Sequence, residues 1–165
     1  MTKDVRYVAV RAAYFMENWA LFTRGLSAPQ PSFPTLITPL DWKIPMVAIK
    51  EIGSTLAREV LNTSPGKAVF ELHGPRRYSS EDVRAAFSKA IGKEVEVKGI
   101  EPAGIRDFYA QILPPDSVDL YTEMAKSLLR GGVLPPPTSD ERVPGIEYSE
   151  TELNEAIAEA LKEHK

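Results

Sequence analysis

The stretch RYVAVRAAYFMENWA, residues 6–20, decides the fold because it joins two hydrophobic patterns. Residues 5–10 are mostly β-branched or aromatic, which predicts a strand covered on both faces, as in the interior of a parallel sheet. Apolar residues at helical spacing then predict a helix over residues 14–22, ending before Gly25. A buried strand that runs directly into a helix is typical of an α/β protein.

The composition excludes several classes of function. The 165 residues suit one domain, 1–165, with a real core. The net charge is −3, and the pair Arg76 and Arg77 is too short to track a phosphate backbone, so we expect no nucleic-acid partner. There is no cysteine, which excludes disulfides, thiolate catalysis and Cys-based metal sites.

The hydropathy pattern predicts a protein without a membrane partner. No apolar run approaches the ~20 residues that a membrane-spanning helix needs. The first residues, MTKDVRYV, lack the apolar core of a signal peptide. We therefore expect a cytoplasmic location.

Short strands and helices alternate along the rest of the chain, separated by turn residues. Two proline-rich loops are predicted over residues 26–45 and 133–147. The predicted strands are 35–38 and 46–49 (joined as a loose hairpin), 68–72 and the edge strand 94–98, and the predicted helices are 51–61, one from Ser79 to Gly92, 105–113, 116–129 and one from Ser149 onward.

Two helices carry clear local signals. Ser79 and Asp82 form a capping-box pattern, in which hydroxyl and carboxylate bind free backbone amides at the start of a helix. The helix over residues 51–61 places Ile52, Leu56 and Val60 on one stripe, which predicts the face that packs against the core.

Three blocks of sequence, in order, resemble a known family. They are RAAYFMENW (residues 11–19), IPMVAIKEIGSTLAREVLN (44–62) and FELHGPRRYSSEDVRAAFSKAIGKEVEV (70–97). Together they resemble the later half of the NmrA-like branch of the atypical short-chain dehydrogenases. The chain departs from the family at Ile49 and Glu51, where aspartates are frequent.

The resemblance implies an α/β fold that corresponds to the C-terminal portion of an NAD(P)-binding Rossmann-like fold, with few short strands and flanking helices. The full-length family binds NAD(P), and its members are reductases or redox sensors. The Gly-rich dinucleotide fingerprint is absent from this sequence. We therefore assign no catalytic residue, no cofactor-binding residue and no cofactor to this chain alone.

The candidate ligand site begins where the opening strand ends, because open α/β sheets bind ligands at the carboxyl ends of their strands. In the resembled family this turn faces the nicotinamide and the substrate. The small side chains of Ala12 and Ala13 would let a ligand approach, while Tyr14 and Phe15 would form an apolar wall. The alternative is a tightly packed turn without a ligand. Residues 12–15 are called the seam below.

Polar and aromatic residues extend this candidate site. Asn18, next to Glu17, could fix a polar substrate group or cap a helix. Trp19 and Trp42, with Phe22 and Phe33, could form an aromatic pocket beneath the proline-rich loop or simply close the core. The candidate substrate-binding residues are Ala12, Ala13, Tyr14, Phe15, Asn18, Trp19 and Trp42.

Other reactive side chains give no catalytic pattern. His73 has no carboxylate partner or nucleophile suggested by spacing, so a structural role is expected. His164 lies in the charged end of the last helix and carries no hypothesis. No spacing of His, Asp or Glu predicts a metal site, and no serine lies in a nucleophile elbow.

Two functional hypotheses follow. In the first, the chain is the substrate-binding half of an NAD(P)-dependent reductase or redox sensor, is inactive alone, and positions an aromatic or quinone-like small molecule. In the second, it is a stand-alone small-molecule-binding or oligomeric interaction module. The sequence leaves open whether the chain is itself an enzyme. An opening strand without sheet neighbours would expose apolar faces, so both hypotheses predict a homo-oligomer.

Overall fold

Short strands and helices alternate in the computed structural model, which describes residues 7–62, 66–134 and 142–163. The strands are β1 (Tyr7–Ala12), β2 (Tyr14–Phe15), β3 (Ser32–Thr35), β4 (Ile44–Val47), β5 (Lys67–His73), β6 (Arg77–Tyr78), β7 (Glu96–Gly99) and β8 (Ile146–Tyr148). The helices are α1 (Ile49–Leu61), α2 (Ser80–Ile91), α3 (Ile105–Ala110), α4 (Pro115–Ser127) and α5 (Leu153–Glu163), with 3₁₀ helices at Met16–Ser27 and Pro102–Gly104.

The strands form three small sheets. The first has the order β1–β5–β8 and is parallel throughout. In the second, β4 pairs in parallel with β2 and antiparallel with β6, and in the third β3 runs parallel to β7. Parallel pairs joined through helices confirm the α/β fold class.

The core lies between the long 3₁₀ helix, β4, α2 and α5. Its largest fully buried side chains come from widely separated parts of the chain, which ties the second and third sheets to the helices. They include Met16, Trp19, Phe33, Ile44, Met46, Tyr78, Phe87 and Ile157.

The opening stretch differs from the prediction in two ways. The strand is present, but Tyr7 is 55% exposed, so the expected cover on both faces is wrong. The helix predicted over residues 14–22 is replaced by β2 and a 3₁₀ helix. Met16, Trp19 and Phe22 recur every third residue, a spacing that suits three residues per turn better than 3.6. Residues 5 and 6 lie outside the described part of the chain.

The predicted hairpin of residues 35–38 and 46–49 is wrong. Strand β3 pairs with β7, while β4 pairs with β2 and β6. All four residues of β4 are buried, which suits a central strand and not a hairpin arm. The prediction of a loop over residues 26–45 is therefore too broad, because it contains β3 and the start of β4.

The capping box of α2 is confirmed. The Ser79 hydroxyl accepts from the Asp82 amide, and the Asp82 carboxylate accepts from the Ser79 amide at 2.8 Å. Gly92 ends the helix in the left-handed conformation at φ 68°, where glycine avoids a steric cost.

Helix α1 starts two residues earlier than predicted, and its apolar stripe does not pack as expected. Leu56 is 46% exposed and Val60 is 82% exposed, whereas the buried residue of the helix is Thr55. The buried side of α1 is thus rotated away from the stripe.

The last part of the chain holds one strand that the sequence did not predict. Strand β8 begins inside the predicted loop 133–147 and ends one residue beyond it, and residues 135–141 of that loop fall outside the described part. Helix α3 ends at Ala110 and not at residue 113, and α4 begins at Pro115 without a side-chain cap. Helix α5 begins after Ser149, and its predicted face is confirmed, since Leu153, Ala156, Ile157 and Ala160 are buried.

Candidate functional site

The seam lies at the carboxyl end of β1, as predicted. Ala12 pairs with Leu72 of β5, and the Ala13 amide donates to the Leu72 carbonyl oxygen at 3.0 Å. Tyr14 and Phe15 then pair with Met46 and Val47 of β4. The seam therefore passes the chain from the first sheet to the second.

Tyr14 is the polar centre of the seam. Its side chain is hydrogen-bonded to that of Asn18, and its ring centroid is 5.9 Å from that of Trp19. Burial raises the pKa of the Tyr14 hydroxyl well above its ordinary value, Tyr109 raises it further, and the bond with Asn18 acts in the opposite direction. The phenol is therefore a neutral hydrogen-bonding group at physiological pH.

A chain of aromatic rings continues from the seam to α3 and α4. Ring centroids lie 6.4 Å apart for Trp19 and Phe22, and 6.3 Å apart for Phe22 and Phe108. Tyr109 follows at 5.7 Å from Phe108 and lies 5.8 Å from Tyr121. Sequence reasoning missed this extension, although the adjacent aromatic residues 108 and 109 were a visible signal.

The two tryptophans lie in the core. Trp19 is 1% exposed and Trp42 is 7% exposed. The Trp42 Nε1 donates to the Leu128 carbonyl oxygen at 2.9 Å, which directs it toward the end of α4. The Trp19 Nε1 has no partner within the described residues. The structure thus brings Tyr14, Asn18 and Trp19 together, while the assignment of all seven residues to a substrate site stays a prediction.

Helix N-termini near the seam are occupied by carboxylates. Both oxygens of Glu17 accept from the Ile49 amide at 3.0 Å, at the start of α1. At the start of α2 Asp82 plays the same role. Since a dinucleotide pyrophosphate needs free amides and no negative charge there, neither helix start fits NAD(P).

A second group of polar side chains lies at the carboxyl ends of β5 and β8. The His73 Nε2 is 3.4 Å from a carboxylate oxygen of Glu71, and the His73 ring lies 5.9 Å from that of Tyr148. Burial lowers the pKa of His73 below its usual 6.5, and Arg77 acts in the same direction while Glu71 opposes it. The sequence analysis missed Glu71 as the carboxylate partner of His73, although side chains two residues apart on a strand lie on the same face.

Two cavities are relevant to ligand binding. One of about 330 Å³ opens beside the first sheet, and its lining includes Arg11, Val69 and Glu71. A larger one of about 830 Å³ lies between α2 and β7, lined largely by residues 29–31 and 93–97. Neither is lined by the seven predicted site residues. Within the part of the chain that the structure describes, no cluster of His, Asp and Glu could hold a metal ion, and no helix is long and apolar enough to cross a membrane.

No protein-family profile matches the chain, and no curated protein is similar to it at a significant level. Among solved structures, it is similar to a nucleoside-diphosphate-sugar epimerase from Staphylococcus aureus, with a TM-score of 0.56 and 19% sequence identity. The match covers 81% of this chain and 46% of the epimerase chain. The likeness shows a shared α/β fold.

Proposed function

We propose that the chain is the substrate-binding half of an NmrA-like NAD(P)-dependent reductase or redox sensor and has no turnover alone. The observation that carries the proposal is the fold likeness, which covers 81% of this chain and 46% of a nucleotide-sugar epimerase. The three sequence blocks that resemble the NmrA-like branch supply the choice within that fold. The absence of cysteine fits a cytoplasmic location.

The seam favours an aromatic or quinone-like ligand. Tyr14 offers a neutral phenol, held by Asn18, next to the ring of Trp19, which in turn contacts the ring of Phe22. A quinone has flat apolar faces for such rings and carbonyl oxygens that accept from a phenol. In this proposal Tyr14 donates to a ligand carbonyl, and the rings of the aromatic chain cover the ligand face.

The starts of α1 and α2 are poor phosphate sites for a dinucleotide. Glu17 and Asp82 place carboxylates at the starts of α1 and α2, where a pyrophosphate would be repelled. The proposal therefore has the dinucleotide held mostly by another polypeptide segment or chain.

The first test is a calorimetric titration of the chain with NADPH. We expect no tight binding, because both helix starts carry a carboxylate. A Glu17→Gln variant tests whether the carboxylate is responsible, since it removes the negative charge at the start of α1 but keeps a hydrogen-bond acceptor for the Ile49 amide. Sub-micromolar binding by the unmodified chain would overturn the proposal.

The second test is quenching of tryptophan fluorescence by a simple naphthoquinone. Tyr14→Phe should weaken binding about fivefold, which corresponds to the loss of one neutral hydrogen bond. Tyr7→Phe is the matched control, because Tyr7 is 55% exposed on β1 and lies outside the aromatic chain. Equal affinities of the two variants would show that the Tyr14 hydroxyl does not bind the ligand.

The alternative function, a stand-alone small-molecule-binding or oligomeric interaction module, is favoured by one observation. Tyr7, Val60 and Val69 expose more than half of their surface on β1, α1 and β5. Exposed apolar side chains of this size are a frequent feature of interaction surfaces.

A further inference from the structure

The outer edge of β1 is open to pairing. In the order β1–β5–β8, β1 is at the end of the sheet. The Tyr7 amide donates to the Gly66 carbonyl oxygen, just before β5, at 3.1 Å, and the Ala13 amide donates to that of Leu72 in β5 at 3.0 Å. The odd-numbered residues of β1 therefore direct their backbone N–H and C=O groups toward β5. Because backbone groups alternate in direction along a strand, Val8, Val10 and Ala12 present their N–H and C=O groups to the outer edge. No described strand pairs with this edge.

An exposed apolar flank of α1, formed by Ile49, Leu56 and Val60, lies on the same side of the molecule as this edge. One flank of α1 faces β8 and the start of α5. On this flank Arg58 donates to Glu147 at 2.8 Å and Glu51 accepts from the Thr151 amide. Ile49, Leu56 and Val60 form the opposite flank and are 48%, 46% and 82% exposed. They therefore project toward the β1 side.

The first sheet also has an exposed face next to the edge. Tyr7, Ala9 and Arg11 share one face of β1, because side chains alternate. The parallel register places Lys67 beside Tyr7, Val69 beside Ala9 and Glu71 beside Arg11. Tyr7 and Val69 are each 55% exposed. The rows of this face end at the outer edge of β1, so a strand paired with that edge would extend them.

We propose that the outer edge of β1 binds β1 of a second copy, antiparallel, about a two-fold axis that passes through Ala9. The pattern of charges on the exposed face is self-complementary in this register. Tyr7 lies opposite Arg11 of the second copy, so a row across the joined sheet reads Lys67, Tyr7, Arg11, Glu71. The cationic guanidinium meets an aromatic ring, and the outer charges of the row have opposite signs.

The backbone fits the same register. Val8 lies opposite Val10 of the second copy, and both turn their N–H and C=O groups outward, so they form hydrogen-bonded pairs. Ala9 lies opposite its own copy in a non-hydrogen-bonded pair, where Cα atoms approach to about 4.5 Å. A small side chain suits this close approach at the axis.

The two copies of α1 then lie side by side on the other face of a six-stranded sheet. The exposed apolar flanks, each formed by Ile49, Leu56 and Val60, face one another across the axis and become buried. A single two-fold contact therefore covers both the open edge and the apolar flank. The second copy explains two exposed features that would otherwise be unrelated.

Sedimentation and disulfide trapping test the proposal. We expect the unmodified chain to sediment at twice its monomer mass at micromolar concentrations. Ala9→Cys should form an inter-chain disulfide on mild oxidation, since the Cα separation at the axis lies within the range that disulfides span. The chain contains no other cysteine.

Val69→Cys is the matched control. It lies in the same row of the same face but roughly 14 Å from its own copy across the axis, three strand spacings away. It is exposed and so open to oxidants, yet it should stay reduced. A monomer in sedimentation, or trapping of Val69→Cys as readily as Ala9→Cys, overturns the proposal.

A charge swap tests the register without cysteine. Tyr7→Arg puts two arginines opposite one another twice in each dimer, and should raise the dissociation constant of the dimer about tenfold. The double variant Tyr7→Arg with Arg11→Tyr restores the pair and should recover most of the affinity. Failure of that rescue, with folding intact by circular dichroism, overturns the register. Tight NADPH binding would overturn the proposed function and leave the dimer untouched.

Discussion

Phe87→Ala should lower the free energy of unfolding by about 3–5 kcal/mol, the usual cost of removing a buried aromatic ring. Phe87 is fully buried on α2, and its ring centroid lies 5.0 Å from that of Phe33 on β3. Phe33 in turn packs edge-on against Trp19 at 5.9 Å. The Phe87 ring therefore packs where α2, the third sheet and the 3₁₀ helix meet. Its removal leaves a cavity that these elements cannot fill by moving inward.

Urea denaturation followed by circular dichroism measures this effect. The midpoint should fall while the slope stays constant, because the variant changes stability and not the surface exposed on unfolding. Leu120→Ala is the control, since Leu120 is 71% exposed on α4 and should cost less than about 0.5 kcal/mol. Equal costs at both positions would show that this core is not close-packed.

Gly74→Ala should destabilise the chain by about 2–3 kcal/mol, in the range of overpacked sites. Gly74 follows β5, and its amide donates to the Met46 carbonyl oxygen of β4 at 2.7 Å. A Cβ at this position would press against that same oxygen and would lie 2.9 Å from the Met16 side chain. The first and second sheets touch here, so the added methyl group would force them apart.

Gly53→Ala is the matched change, because it adds the same methyl group within α1 with nothing within 4 Å. Glycine is a poor helix former, so this substitution should stabilise the chain by about 0.5–1 kcal/mol. Thermal and urea unfolding of both variants give the comparison. A stability change of the same sign at both positions would contradict the assigned contact between β4 and β5.

The predictions that succeeded rest on local signals. The capping box needs only Ser79, Asp82 and the amides between them, so the sequence contains the whole motif. The buried face of α5 follows from its own helical spacing. Strand β5 was likewise predicted to within one residue at each end, because an apolar run between turn residues can be recognised without knowledge of its partners.

The predictions that failed depend on distant partners. Residues 14 and 15 are extended because β4 pairs with them, and β3 is a strand because β7 lies beside it. Ile52, Leu56 and Val60 do lie at helical spacing, but the sequence of α1 does not determine which of its faces packs against the rest of the protein. The adjacent aromatic residues 108 and 109 are visible in the sequence, but their contact with Phe22 depends on how α3 packs, which the local sequence does not determine.

Pairing in the first sheet links residues that are far apart in sequence. Tyr7 meets Lys67, which lies 60 positions later, and His73 of β5 meets Tyr148 at the far side of the same sheet. On a ribosome that adds about 5–20 residues each second, β1 waits several seconds for its neighbour. Such high contact order slows folding and leaves an apolar strand available to other nascent chains. The same unpaired strand that forms the sheet edge in the folded protein is therefore exposed in the nascent chain, where we expect chaperones to bind it.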